Sequence, residues 1–165
     1  MTKQEFLAVT KQELKAQGFK LWNGKPYLDL PDIIVVIDLQ KSNCGATYFI
    51  NFAFVFKALH TTAELQTPHK CEDGWISRDR DSRLLFPYGD ANKSWDKTNR
   101  IDGLRYEELD IEVYRKDLKV AMHTQIDPIR ERGIDYIKEI RDKNFFGTTY
   151  NTDRRPKILA YVNGL

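Results

Sequence analysis

Residues 33–56 constrain the fold more than any other part of this chain. Ile33-Ile34-Val35-Val36-Ile37-Asp38-Leu39-Gln40-Lys41 and Thr47-Tyr48-Phe49-Ile50-Asn51-Phe52-Ala53-Phe54-Val55-Phe56 flank a short segment containing Asn43-Cys44-Gly45. Both runs are rich in β-branched and aromatic residues, and the segment between them has turn chemistry. They read as two long strands joined by a turn. With side chains alternating along a strand, Ile33, Val35, Ile37 and Leu39 share a face, as do Tyr48, Ile50, Phe52, Phe54 and Phe56. That face is wholly apolar and needs cover, which helices supply. The opposite face carries Ile34, Val36, Asp38 and Gln40 on one strand and Phe49, Asn51, Ala53 and Val55 on the other. Being mixed, it is expected to be partly exposed or to close a cleft.

The cover is legible in the flanks. Thr2-Lys3-Gln4-Glu5 fits a capping box. Phe6, Leu7, Thr10 and Leu14 then fall on one helical face, and Gly18-Phe19 suits a Schellman ending. The spacing predicts a helix over residues 3–17. Asn23-Gly24 between apolar-flanked segments is a hairpin signal, and Pro26 places that hairpin at a sheet edge. In the last third, Ile111, Tyr114, Leu118 and Met122 have helical spacing. Leu109-Asp110-Ile111-Glu112-Val113 also alternates like a strand, which leaves the helix start open. Asp127-Pro128 reads as an N-cap with Pro at N1, opening a helix to about residue 143 in which Gly133 costs about 1 kcal/mol relative to Ala. Residues 156–163 read as a final helix ending at Gly164. Residues 58–103 are the least regular; 75–78 and 83–86 are candidate short strands. The expectation is one α+β domain over residues 1–165: an antiparallel sheet of about four to six strands, with N-terminal and C-terminal helices packed on one face.

The chain has 165 residues, 41% hydrophobic and 12% aromatic, which is too apolar for a disordered chain. It has no apolar run long enough to span a membrane and no leader-like start, so a cytoplasmic, non-membrane protein is expected. Cys44 and Cys71 form no metal-type pair and are expected as free thiols. A net charge of +2 argues against a dedicated nucleic-acid binder. There is no Walker loop, GxGxxG or GxSxG, so nucleotide chemistry is not signalled and no cofactor is expected.

Four groups of residues could carry chemistry. His69 and Cys71, with His60 or His123 brought in by folding, could supply zinc ligands if residues 69–71 formed a strand; ordinary surface or half-buried side chains are the favoured reading. Cys71 beside His69 could also act as nucleophile and base, given a stabilised thiolate. Arg78, Arg80 and Arg83 could grip a phosphate or carboxylate, although the interleaved Asp79 and Asp81 favour a solvated, self-cancelling loop. Asp38, Gln40, Lys41 and Asn51 are the fourth group. They could floor a binding site or form a structural network, and the network is favoured because polar groups in a sheet must be paired or wet.

The N-terminal pieces resemble a bacterial family catalogued as domain of unknown function 4304. Leu14-Lys15-Ala16-Gln17-Gly18-Phe19 closes the first helix. Ile37-Asp38-Leu39-Gln40-Lys41-Ser42 is close to the family's NLQKS-like strand end. Tyr48-Phe49-Ile50-Asn51 leads the next strand as in the family. His69-Lys70-Cys71 with Ile76 and Arg78 is similar to a His/Cys-to-Arg stretch, in altered order and with an insertion. The resemblance implies an α+β fold and a bacterial origin, and no reaction. It leads to the expectation of a non-enzymatic protein-binding module, of the immunity type, with a cognate toxin as partner. The alternative is a hydrolase or nuclease using the His69/Cys71 and Arg78/Arg80/Arg83 region.

Overall fold

The computed structural model describes residues 1–43, 45–71, 73–75, 84, 86–87, 100–101, 103–141 and 155–164. Helix α1 (Lys3–Ala16) opens with the capping box: Glu5 N–H donates to the Thr2 hydroxyl at 3.2 Å, and the Glu5 carboxylate accepts from Thr2 N–H at 2.7 Å. It closes as a Schellman motif. Gly18, at φ +86°, donates to Lys15 O, and Phe19 N–H donates to Leu14 O, both at 3.0 Å. The Arg130 guanidinium donates to Gln17 O at 2.8 Å, which places a cation at the negative end of the helix.

Among the described residues the main sheet has six antiparallel strands: β1 (Lys20–Trp22), β2 (Lys25–Asp29), β3 (Ile33–Lys41), β4 (Thr47–Phe56), β5 (Gly74–Trp75) and β8 (Gly103–Arg105). Their order is β1-β2-β3-β4, with β5 and β8 both paired to the far side of β4. Asn23 and Gly24, at φ 47° and 77°, make the two-residue turn of the β1–β2 hairpin. The hairpin is at the sheet edge as Pro26 requires: the β2–β3 ladder starts at Tyr27↔Val36, so no ladder bond is asked of Pro26. A separate pair joins β6 (Phe86–Pro87) to β7 (Arg100–Ile101).

The two faces of the sheet have different cover. Ile33↔Phe56, Val35↔Phe54, Ile37↔Phe52 and Leu39↔Ile50 form the helix-covered face. Helices α1, α3 (Ile111–Gln125), α4 (Asp127–Arg141) and α5 (Arg155–Asn163) bring Phe6, Leu14, Tyr114, Leu118, Ile129, Ile137 and Ile158 into the same core cluster. Burying each such side chain contributes about 1.5–3 kcal/mol. On the second face, Ile34, Val36, Ala53 and Val55 form a smaller cluster with Cys71. It is covered by the loop after β4, which contains a 3-10 turn (Lys57–Leu59), the one-turn helix α2 (Thr62–Leu65) and a second 3-10 turn (Pro68–Lys70).

The sequence left the start of α3 open, and two further details depart from its reading. Leu109 lies outside α3, because Asp110 is its N-cap, accepting from Glu112 N–H at 2.9 Å and Val113 N–H at 3.0 Å. Gly133 is not a helical glycine. At φ 52°, ψ −132° it breaks α4 into two helical pieces. His69 lies in a 3-10 turn with Cys71 as its C-cap, so they do not project from a strand. Of the candidate strands, Trp75 is in β5 and Phe86 in β6, while residues 76–78, 83 and 85 lie outside the described residues.

Candidate functional site

The uncovered half of the second face holds three of the polar residues singled out from the sequence, Asp38, Gln40 and Asn51. Register sets Asp38 opposite Asn51 and Gln40 opposite Phe49. Asn51 reaches diagonally to Gln40, its Nδ2 donating to Oε1 at 2.8 Å. Asp38 turns the other way, toward β2, where Lys25 Nζ lies 3.3 Å from Oδ1. The Lys25 and Asp38 side chains are each about half exposed, 52% and 46%, so the pair contributes at most about 1 kcal/mol. The four groups are thus a paired surface, neither a buried network nor a set of converging free ligands. Lys41 is not among them: it sits opposite Tyr48, on the helix-side face at the exposed strand end.

Sequence reasoning missed one side chain at this site and assigned another, His69, to different chemistry. Trp22 belongs to it through β1, and His69 reaches it from the covering loop. Their rings stack at 6.1 Å between centroids with planes 19° apart. Both imidazole nitrogens are buried, and neither makes a hydrogen bond of good geometry. Loss of water lowers the His69 pKa from its ordinary value. The Lys25 ammonium lowers it further, against smaller opposing effects of the Lys25 backbone and Asp38. Forty-seven residues separate Trp22 from His69, so only the fold reveals the pair; the alternation along β3 and β4 did place Asp38 and Asn51 on one face.

Phe49 completes the aromatic rim. It faces Gly103 across β4–β8, where an added Cβ would come within 3.0 Å of the Phe49 ring. Glycine therefore lets the ring lie against the neighbouring strand.

Of the His69/Cys71 pair, the cysteine is held against backbone carbonyls. The Cys71 thiol is 4% exposed and donates to the carbonyls of Glu64 at 3.2 Å and Thr67 at 3.7 Å. A thiolate there would face two carbonyl oxygens and an apolar cluster. Among the described residues, no group of three or more His, Cys, Asp and Glu is placed to hold a metal ion. His60 instead bonds Asp73, Nε2 to Oδ2 at 2.6 Å, with both side chains fully buried. Asp73 also accepts from Phe56 N–H at 2.8 Å. His123 pairs with Asp127 at 3.0 Å on the exposed side of the helices. Arg78, Arg80 and Arg83 lie outside the described residues, as does Cys44.

The fold and this face define an α+β domain whose sheet is roofed by helices on one side and half-roofed by a loop on the other. The chain belongs to the DUF4304 family, a domain of unknown function, whose model matches residues 10–132. The match runs from within α1, through the whole sheet, to the residue before the α4 break. No curated protein and no solved structure matches the chain. No helix among the described residues is long and apolar enough to cross a membrane.

Proposed function

We propose that this domain is a non-enzymatic binding module that docks another protein on the open half of its sheet. A cytoplasmic immunity-type protein of bacterial origin, neutralising a cognate toxin, is the form this reading takes. The observation that supports it is the composition of the face: Asp38–Lys25 and Gln40–Asn51 pair off without net charge, between the half-buried rings of Trp22 and Phe49. Aromatic anchors with amides of spare hydrogen-bonding capacity suit a protein surface. A polyanion would want uncompensated positive potential. The enzyme alternative draws no comparable support from a buried thiol turned toward carbonyls.

The test is affinity capture from the source cells with four baits: wild type, Trp22→Ala, Asn51→Arg, and Val113→Lys as a control on the exposed α3 surface. The expected result is a specific protein held by wild type and Val113→Lys and lost with Trp22→Ala and Asn51→Arg. Amide protection on β3 and β4 should rise when that protein is added. Retention indifferent to the face variants would overturn the proposal. So would substrate turnover abolished by Cys71→Ala.

A further inference from the structure

The loop that covers the apolar half of the second face is fixed at its root and lightly held at its tip. At the root, His60 and Asp73 are hydrogen-bonded and fully buried, and Asp73 is tied to β4 on both sides: its N–H donates to Phe54 O at 2.7 Å and its carboxylate accepts from Phe56 N–H. A loop whose ends are clasped together in this way is an Ω-loop. Within it, α2 is a single turn with its own capping box, Thr61 to Glu64, and most of its hydrogen bonds are local. The inward side chains Leu65 and Cys71 cover Ile34, Val36, Ala53 and Val55. At the tip, His69 lies flat against Trp22 with both ring nitrogens shut away from water and without a hydrogen bond of good geometry. A buried polar group without a partner calls for an explanation, and a protonatable one has a specific consequence. Protonation would create an imidazolium with two buried donors, close to the Lys25 ammonium and only partly compensated by the Lys25 backbone and Asp38.

We propose that the loop from His60 to Cys71 is a pH-released flap, latched at neutral pH by the uncharged His69 ring on Trp22 and opened when His69 is protonated. The charged groups that act on the ring from the packed strands are Lys25 of β2 and Asp38 of β3, while β1 contributes the Trp22 face. Neutral His69 is the docked form, so docking is complete above the ordinary histidine range. It weakens as pH falls below about 6.5, where the open loop takes up the proton and the docked loop does not. Opening uncovers Ile34, Val36, Ala53 and Val55. The root stays clasped, because Nε2 of His60 can donate to the Asp73 carboxylate in either charge state. The flap does not depend on the partner-binding reading and is measured on the isolated protein.

The experiment is hydrogen–deuterium exchange at about pH 7.5 and about pH 5.5, a span that brackets histidine titration, corrected for intrinsic rates. Wild type is compared with His69→Phe, which keeps the stack without the charge. In wild type, peptides from residues 60–71 should lose protection at the lower pH while those from β3 and α1 do not; in His69→Phe the protection of residues 60–71 should be the same at both. Equal loss in both proteins, no loss in wild type, or loss spread over the whole sheet would each overturn the proposal. A titration of the His69 ring by NMR on wild-type protein provides a readout that needs no variant. Its midpoint should lie below the ordinary histidine value of 6.5 and rise in Lys25→Met; an ordinary midpoint overturns the latch.

Discussion

Thr10 has one hydroxyl proton and two polar neighbours, and this decides how α1 and α3 are pinned. Its Oγ1 lies 2.7 Å from Phe6 O, which can only accept, so the proton goes there. The Tyr114 hydroxyl, 2.6 Å away, must then donate to Thr10. Both residues are buried, and burial pushes the Tyr114 phenol well above its ordinary value despite the Thr10 bond. Thr10→Val keeps the shape but strands the Tyr114 donor in the core, which should cost about 1–3 kcal/mol. Tyr114→Phe removes the donor and leaves Thr10 bonded to Phe6, which should cost less, about 0.5–1.5 kcal/mol. The double variant should fall well short of the sum, as urea midpoints of the four proteins will show. The helical spacing put Thr10 on the buried face beside Phe6 and Leu14. It could not name Tyr114 as the partner, 104 residues away. Glu13 was missed for a similar reason. It is 8% exposed, with Arg115 at 3.6 Å and Lys119 at 3.7 Å across the α1–α3 contact, and a charged residue is legible as buried only once its partners are known.

At the scale of elements, what could be read in advance was what a few adjacent residues decide. Thr2 to Glu5, Gly18-Phe19 and Asn23-Gly24 all act within a turn of their own positions. The strands β5, β7 and β8 are two or three residues long, and pairing with distant strands defines them. Nothing local marks Gly103 as the partner of Phe49. Gly133 is the instructive failure, because propensity treats it as a weak point in a continuous helix. If it were helical, Gly133→Ala would stabilise the protein by about 1 kcal/mol. At φ 52°, ψ −132° an alanine is strained, and the change should destabilise by about 1–3 kcal/mol. A Cβ there would meet only Asp32 Oδ2 at 3.8 Å, an ordinary contact, so the cost is one of backbone conformation and not of crowding. The sign of the change in urea midpoint separates a kinked α4 from a straight one.

Over the whole molecule, the two faces of the sheet give stability a stepped dependence on pH. The helix-covered core is apolar and indifferent to protons, so the dependence comes from the second face and the surface. His69 is lowered by loss of water and then by Lys25, so the unfolded chain binds a proton that the folded one resists. Its contribution is intact above its ordinary value of 6.5 and is lost as pH falls from there toward the folded value. Asp29 is also lowered, chiefly by its hydrogen bond from Lys57, whose Nζ lies 2.6 Å from Oδ1. For a lowered carboxylate, stability is present above the ordinary value of 3.8 and lost as pH falls through the folded value. Glu5, held down by the Thr2 backbone and hydroxyl, adds in the same sense. Asp117, raised by loss of water, works against them: the folded chain holds its proton more readily, so it returns some stability in acid. The expected profile has a first decline across the histidine range and a second below the ordinary carboxylate values. Urea midpoints from about pH 8 to about pH 3 should show both in wild type. His69→Phe should lack the first decline and keep the second. Asp29→Asn should keep the first and start its second from a lower plateau, by at most about 1 kcal/mol because the Asp29–Lys57 pair is partly exposed. A single smooth decline shared by all three proteins would place the acid sensitivity outside this face.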